Sequence, residues 1–193
     1  MNESLHLIVI GNGIAGTSAA MAARQQYPLA AISLLSAEPH ESYNKISLNA
    51  LLTGKLDANE LSLLPSGQLE RWGITCHLGV SVHAIQRQEK AVQLGDGTRL
   101  HYDALILATG ATPVRPRISG IDLPQVHALW SLRDAQTIRA SSAAASHVTL
   151  IGGGILGVES AVELSGHGHS VTIVEARPHL LPQQLEAQGA DYL

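Results

Sequence analysis

The sequence has no phenylalanine and a single cysteine, Cys76. One cysteine excludes an internal disulfide, and it excludes a Cys-rich zinc site or a cluster built from this segment alone. Aromatic residues are only 3% of the chain, so aliphatic side chains have to fill the core. Charge is sparse as well: 12 Lys and Arg stand against 16 Asp and Glu, a net −4. No Lys/Arg cluster offers a footprint for a phosphate backbone, which argues against nucleic acid as a partner. No apolar run approaches the roughly 20 residues that span a bilayer, and the N-terminus lacks a basic n-region and a small-residue cleavage site. A cytoplasmic protein with no membrane association is expected. Ten histidines are present, but His167 and His169 in SGHGHS have no third ligand at helical or hairpin spacing, so no metal is expected. Trp72 and Trp130 read as packing residues at helix ends rather than stacking platforms, and Cys76 as a small core residue.

What the chain holds is 45% hydrophobic residues and 18 glycines, arranged in two similar stretches, LIVIGNGIAG at 7–16 and VTLIGGGILG at 148–157. In each, a buried strand runs into three glycines and then into a helix with apolar residues at helical spacing. Residues 5–10, a helix from Ile14 to Tyr27-Pro28 and a strand at 31–36 make a βαβ unit, in which parallel strands require a crossover helix. The pattern restarts with HVTLIG, a helix over 155–166 and VTIVE. The predicted class is α/β: two Rossmann-like three-layer domains, the first with a small antiparallel β-meander and the second incomplete.

Between these stretches, 40–72 reads as short helices, with Gly54 as a C-terminal stop and Asp57 three residues before Glu60 as an N-cap. The short apolar runs at 74–107, divided by Gly95-Asp96-Gly97, predict an antiparallel meander returning to a buried strand at 104–108. The segment ATPVRPRISGIDLP reads as a connection between domains, which places the domains at 1–117 and 118–193. Ser131 with Asp134 three residues on opens a helix to about 140, and ASSAAAS reads as a linker.

A pyrophosphate held at a helix start needs bare amides and no intruding side chain. The first glycine permits the tight turn, the second the approach to phosphate, and the third the packing of helix on strand. Gly11, Gly13 and Gly16 suit these roles, with Asn12, Ile14 and Ala15 beside them. Gly152, Gly154 and Gly157 repeat them, with Ile155 and Leu156. Glu175, 23 residues past Gly152, can bind both ribose hydroxyls and would repel a 2′-phosphate, which favours NADH; Arg177 nearby could accept that phosphate. In the first unit the corresponding strand ends in Ser36, and the nearest acid is Glu38.

These residues resemble the two-dinucleotide flavoproteins, the pyridine-nucleotide-dependent FAD reductases. GNGIAG, TRLHYDALILATGATP at 98–113, IGGGILGVE and the Val-Glu at 174–175 carry the resemblance, over nearly the whole chain. It implies that the first turn holds the FAD pyrophosphate, that Ala108, Thr109 and Gly110 lie beside FAD, and that the second turn holds NAD(P)H. YNKISLNALLTG, IQRQEKAV and HLLPQQLEAQGADYL look most like the N-terminal flavin portion of assimilatory NAD(P)H nitrite reductase large subunits, and similar segments occur in the nitrate reductase electron-transfer subunit and in rubredoxin reductases. Many relatives carry a redox cysteine where this chain reads ESYNKISLNALL, so no thiol relay is available. The resemblance implies instead that Lys45 approaches the flavin and pairs with Glu159. It also implies that electrons leave for a downstream redox centre or a small electron-transfer protein; a homodimer is one assembly open to the family. Such a family closes its FAD site with a later Gly-Asp motif, which is not found after Glu175, so a fragment of a longer reductase is expected. A catalytically silent nucleotide-binding module and a flavin monooxygenase are the competing readings.

Overall fold

The computed structural model describes residues 5–193. The chain runs β1 (His6–Ile10), α1 (Ile14–Gln26), β2 (Ala31–Ser36), α2 (Asn49–Leu52), α3 (Gln68–Arg71), β3 (Ile74–Leu78), β4 (Val82–Gln86), β5 (Ala91–Leu94), β6 (Arg99–His101), β7 (Ala104–Leu107), α4 (Leu132–Ser142), β8 (His147–Ile151), α5 (Ile155–Gly166), β9 (Ser170–Val174) and α6 (Ala187–Ala190). Single 3-10 turns occupy Lys45–Leu48 and Ala58–Leu61.

The chain divides into two compact units. The first comprises the described residues up to Asn44 together with Ser62–Thr112. Its centre is a parallel sheet in the order β3-β2-β1-β7. Strand β1 is apolar at every position after His6 because both of its faces are covered. Leu7 and Val9 pack with Ala20 and Ala23 of α1 and with Ile32, Leu34 and Ile74. Ile8 and Ile10 point the other way, into a cluster with Leu35, Val92 and Leu94. Val92 and Leu94 belong to the antiparallel sheet β4-β5-β6, so the layers are helix, parallel sheet and meander. Ile8, Val9, Leu34 and Leu35 are fully buried, and each contributes about 1.5–3 kcal/mol of transfer free energy.

One strand departs from expectation. Residues 74–78 join the parallel sheet, with Ile32 opposite Ile74 and Ser36 opposite Leu78, instead of opening the meander. A short apolar run announces a strand without announcing its partner. The turn at Gly79, in a left-handed conformation with φ +71, separates β3 from β4.

The second unit comprises Lys45–Leu61 and Pro113–Leu193. Helix α4 opens with the expected capping box: Ser131 Oγ accepts from Asp134 N at 3.2 Å, and the Asp134 carboxylate accepts from Ser131 N at 2.8 Å. Strands β8 and β9 pair in parallel, His147 with Ser170 through Ile151 with Val174. Helix α5 follows β8, and α2 packs on α4 and α5. The C-terminal stretch forms turns and the four-residue α6. Residues 45–61, which the sequence groups with the first domain, pack within this unit. Among the described residues no helix is long and apolar enough to cross a membrane.

Candidate functional site

In the first unit, β1 delivers the chain into a turn that only glycine fits. Gly11 N donates to Leu35 O at 2.8 Å, its φ is +112°, and a Cβ there would fall on the Ala108 carbonyl. Gly13 is the N-cap of α1, extended and with no side-chain cap, and nothing lies within 4 Å of where its Cβ would be. A Cβ on Gly16 would fall on the Gly11 carbonyl, so the helix start packs directly on the turn. Asn12 pins the turn from the side: its Nδ2 donates to His40 O at 3.1 Å, and its Oδ1 accepts from Thr17 Oγ1 at 3.3 Å. Ile14 and Ala15 are exposed at the helix tip. Ala108 N donates to Ile10 O at 2.7 Å, which brings Ala108 and Thr109 alongside the turn; Gly110 follows in a left-handed conformation with open space around it. Glu38 is half-buried, with Tyr43 Oη donating to its Oε2 at 2.5 Å.

The second unit repeats the device. Gly152 N donates to Val174 O at 2.8 Å with φ again +112°, Gly154 is an uncapped N-cap with nothing within 4 Å, and a Cβ on Gly157 would meet the Gly152 carbonyl. Ile155 and Leu156 are half exposed, at 50% and 52%. Glu175 leans over the turn: Oε2 accepts from Gly153 N at 2.6 Å and Oε1 from Arg177 N at 2.9 Å. The Arg177 amide first, then that of Gly153, holds its carboxyl below the usual range.

Both helix tips therefore present first-turn amides that no side chain caps, beside space that no atom fills. That arrangement suits a phosphate diester. The residues fit two dinucleotide pyrophosphates.

The remaining expected residues lie in the second unit. Lys45 Nζ sits 5.9 Å from the ring centroid of Trp130, within cation–π reach. Glu159, on α5, accepts from Asn49 Nδ2 at 3.1 Å through Oε2. Asn49 and Ser160 escape sequence reasoning, because a buried amide facing a helix 110 residues away leaves no local signal. Cys76 is partly buried against the core, and burial, followed by the hydrogen bond and charge of Glu70, pushes its thiol up to about 12. A thiol so perturbed stays protonated and unreactive. Among the described residues no group of three His, Cys, Asp or Glu could hold a metal ion.

Residues 5–193 match the family model for pyridine nucleotide-disulphide oxidoreductases. The chain is 34% identical to a probable ferredoxin reductase of Castellaniella defragrans, covering 100% of this chain and 47% of that protein. It is 33% identical to the nitrite reductase [NAD(P)H] of Bacillus subtilis, over 97% of this chain and 23% of that protein. Among solved structures, the water-forming NADH oxidase from Lactobacillus brevis superposes with a TM-score of 0.91 at 28% identity, over 98% of this chain and 43% of the other. The chain thus spans half or less of the length of these relatives. It belongs to the pyridine nucleotide-disulphide oxidoreductase family.

Proposed function

We propose that this pyridine nucleotide-disulphide oxidoreductase acts as the reductase module of an NADH-dependent flavoprotein, passing electrons from NADH through FAD to a downstream acceptor in nitrite or nitrate assimilation. The observation that carries the reading is the pair of uncapped helix tips at Gly13 and Gly154, each with open space where a side chain would stand. The family and its members use FAD and NAD(P)H. FAD, when bound, supplies hydride acceptance and onward electron release; the protein supplies binding and orientation.

In this reading Gly11, Asn12, Gly13, Ile14, Ala15 and Gly16 hold the FAD pyrophosphate, Glu38 takes the adenosine ribose, and Ala108, Thr109 and Gly110 line the flavin. Gly152, Gly154, Ile155, Leu156 and Gly157 hold the pyrophosphate of the nicotinamide cofactor. Glu175 selects NADH: its carboxylate, already held charged by two backbone amides, would face a 2′-phosphate with like charge. Arg177 is the one group there that could soften that repulsion. Lys45 supplies a cation near the flavin and pairs with Glu159, which favours the electron-rich reduced ring and offsets the cost of drying the carboxylate. The module works in the cytoplasm.

The ferredoxin reductase relative supports a second reading, in which electrons leave to a small iron–sulfur protein or rubredoxin. A catalytically silent nucleotide-binding module is the third. Anaerobic addition of NADH to the protein expressed from its whole gene should bleach the yellow flavin band; no bleaching favours the silent module. Nitrite consumption by the bleached protein supports the first reading, and reduction of an added ferredoxin or rubredoxin supports the second. Replacing Lys45 with Met should slow bleaching, and an unchanged stopped-flow rate removes Lys45 from the mechanism.

A further inference from the structure

Asn49 is buried at 7% exposure on α2, between two side chains of α5. Its Nδ2 donates to Glu159 Oε2 at 3.1 Å, and its Oδ1 accepts from Ser160 Oγ at 2.7 Å. Ser160 is itself buried at 6% exposure and stands 2.7 Å from a second acceptor, Leu156 O. A serine hydroxyl has one proton for these two acceptors, while an ionised carboxylate can only accept. The charge on Glu159 therefore dictates the whole arrangement: it requires the amide nitrogen on its own side, which turns the amide oxygen to Ser160 and draws the serine proton there. Reversed, the amide would set oxygen against carboxylate.

The carboxylate of Glu159 is thus held at one oxygen by a group that cannot rotate away without leaving buried polar atoms unpaired, which is costly. The neighbouring contacts of the same segment are looser. Lys55 Nζ reaches Glu163 at 3.2 Å from a side chain 62% exposed, an ion pair of little worth in water.

We propose that Asn49 is a positioning residue for Glu159, with Ser160 as its backstop, aiming the carboxylate for its pairing with Lys45. The proposal rests on the reading of Glu159 given above and adds what fixes it. Asn49→Leu keeps the volume and removes the donor.

In the flavin-loaded protein expressed from its whole gene, Asn49→Leu should lower the limiting rate of flavin reduction by NADH about tenfold, as expected for a lost bond to a charged group. The Kd for NADH should hold within about twofold, because the cofactor's own contacts are untouched. Glu159→Ala should slow reduction as well, and the double variant should be no slower than Glu159→Ala alone, since both act through one contact. In nuclear magnetic resonance of the same protein, the Asn49 side-chain amide protons should move on Glu159→Ala. Ser160→Ala, which keeps the amide and loosens its far end, should cost about threefold and covers the case in which Asn49→Leu does not fold. Additive losses in the double variant, or an Asn49→Leu or Ser160→Ala rate equal to the unmodified protein, would overturn the proposal. If Glu159→Ala itself reduces at full rate while the Asn49 protons still move, it is the catalytic reading of Glu159 that fails.

Discussion

The two glycine turns share one backbone and differ in what surrounds it. Gly11 and Gly152 have the same φ and hand the same amide to the end of the neighbouring strand, at Leu35 and at Val174. Those bonds align Ser36 with Glu175 and Asn12 with Gly153. In the second turn the carboxylate of Glu175 crosses to Gly153 N, and a Cβ on Gly153 would stand 3.1 Å from the Glu175 Cβ and 2.7 Å from Leu180 Cδ2. A side chain at the middle position there has to displace the tip of Leu180 and crowd the stem of Glu175. In the first turn Ser36 folds back on Glu38, and Asn12 makes two hydrogen bonds of its own, to His40 O and from Thr17 Oγ1. The backbone geometry is thus common to both turns, and the residue at the strand end decides the middle of each. One turn is closed by an acid, the other by an amide.

Support behind the turns differs as well. Gly11 is backed by the Ala108 carbonyl, whereas nothing lies within 4 Å of a Cβ on Gly152. The largest expected effect follows. Gly11→Ala combines a strained φ with collision against fixed backbone and should destabilise the first unit by about 3 kcal/mol or more, whereas Gly152→Ala carries the strain alone, about 1–2 kcal/mol. Hydrogen exchange at β1 and β8 amides reads the two units separately. Equal losses would show that the backing of the first turn carries no weight. Next in size, Gly13→Val and Gly154→Val place a side chain in open space. Each should leave its unit folded and weaken its own dinucleotide on the order of a hundredfold, as for two lost charge-assisted bonds. Isothermal titration with FAD and with NADH would expose any crossover between the turns.

Much of this was legible in the sequence because strand, glycine and helix signals are local. Strand 31–36 and helix 155–166 are found where the periodicity puts them, and the Ser131–Asp134 box forms as its spacing requires. What could not be read was partnership across distance. Residues 74–78 look like a hairpin strand, yet they pair with β2, because a five-residue apolar run suits either sheet. Asn49 gave no sign of itself, since its two partners lie on a helix more than a hundred residues away. Residues 45–61 separate from their sequence neighbours for the same reason: their contacts are with α4 and α5, and contacts have no local spelling.

The acid closing the second turn gives a pH test that the first turn should fail. The backbone amides of Arg177 and then Gly153 hold the Glu175 carboxyl below the usual carboxylate range in the folded protein. A depressed carboxylate contributes above the unfolded pKa, and the contribution disappears as pH falls through the folded one. The Gly153 amide resonance should therefore be constant around neutral pH and move only on acidification below the usual carboxylate range. Glu175→Gln should abolish that titration and weaken NADH about tenfold, from the loss of a charged acceptor at the ribose. Asn12, having no acid across the turn, should show no such movement.

The smallest effects come from exchanging the middle residues. Asn12→Gly removes two hydrogen bonds and should cost the first unit about 1–2 kcal/mol. Gly153→Ala must push aside the tip of Leu180, a flexible end rather than backbone, and crowd the Glu175 stem, for about 1 kcal/mol. The sharper readout is functional: by shifting Glu175, Gly153→Ala should weaken NADH more than FAD, and Asn12→Gly the reverse. If both variants weaken the same dinucleotide, the strand-end residue does not set the character of each turn, and the division of labour between Ser36 and Glu175 falls with it.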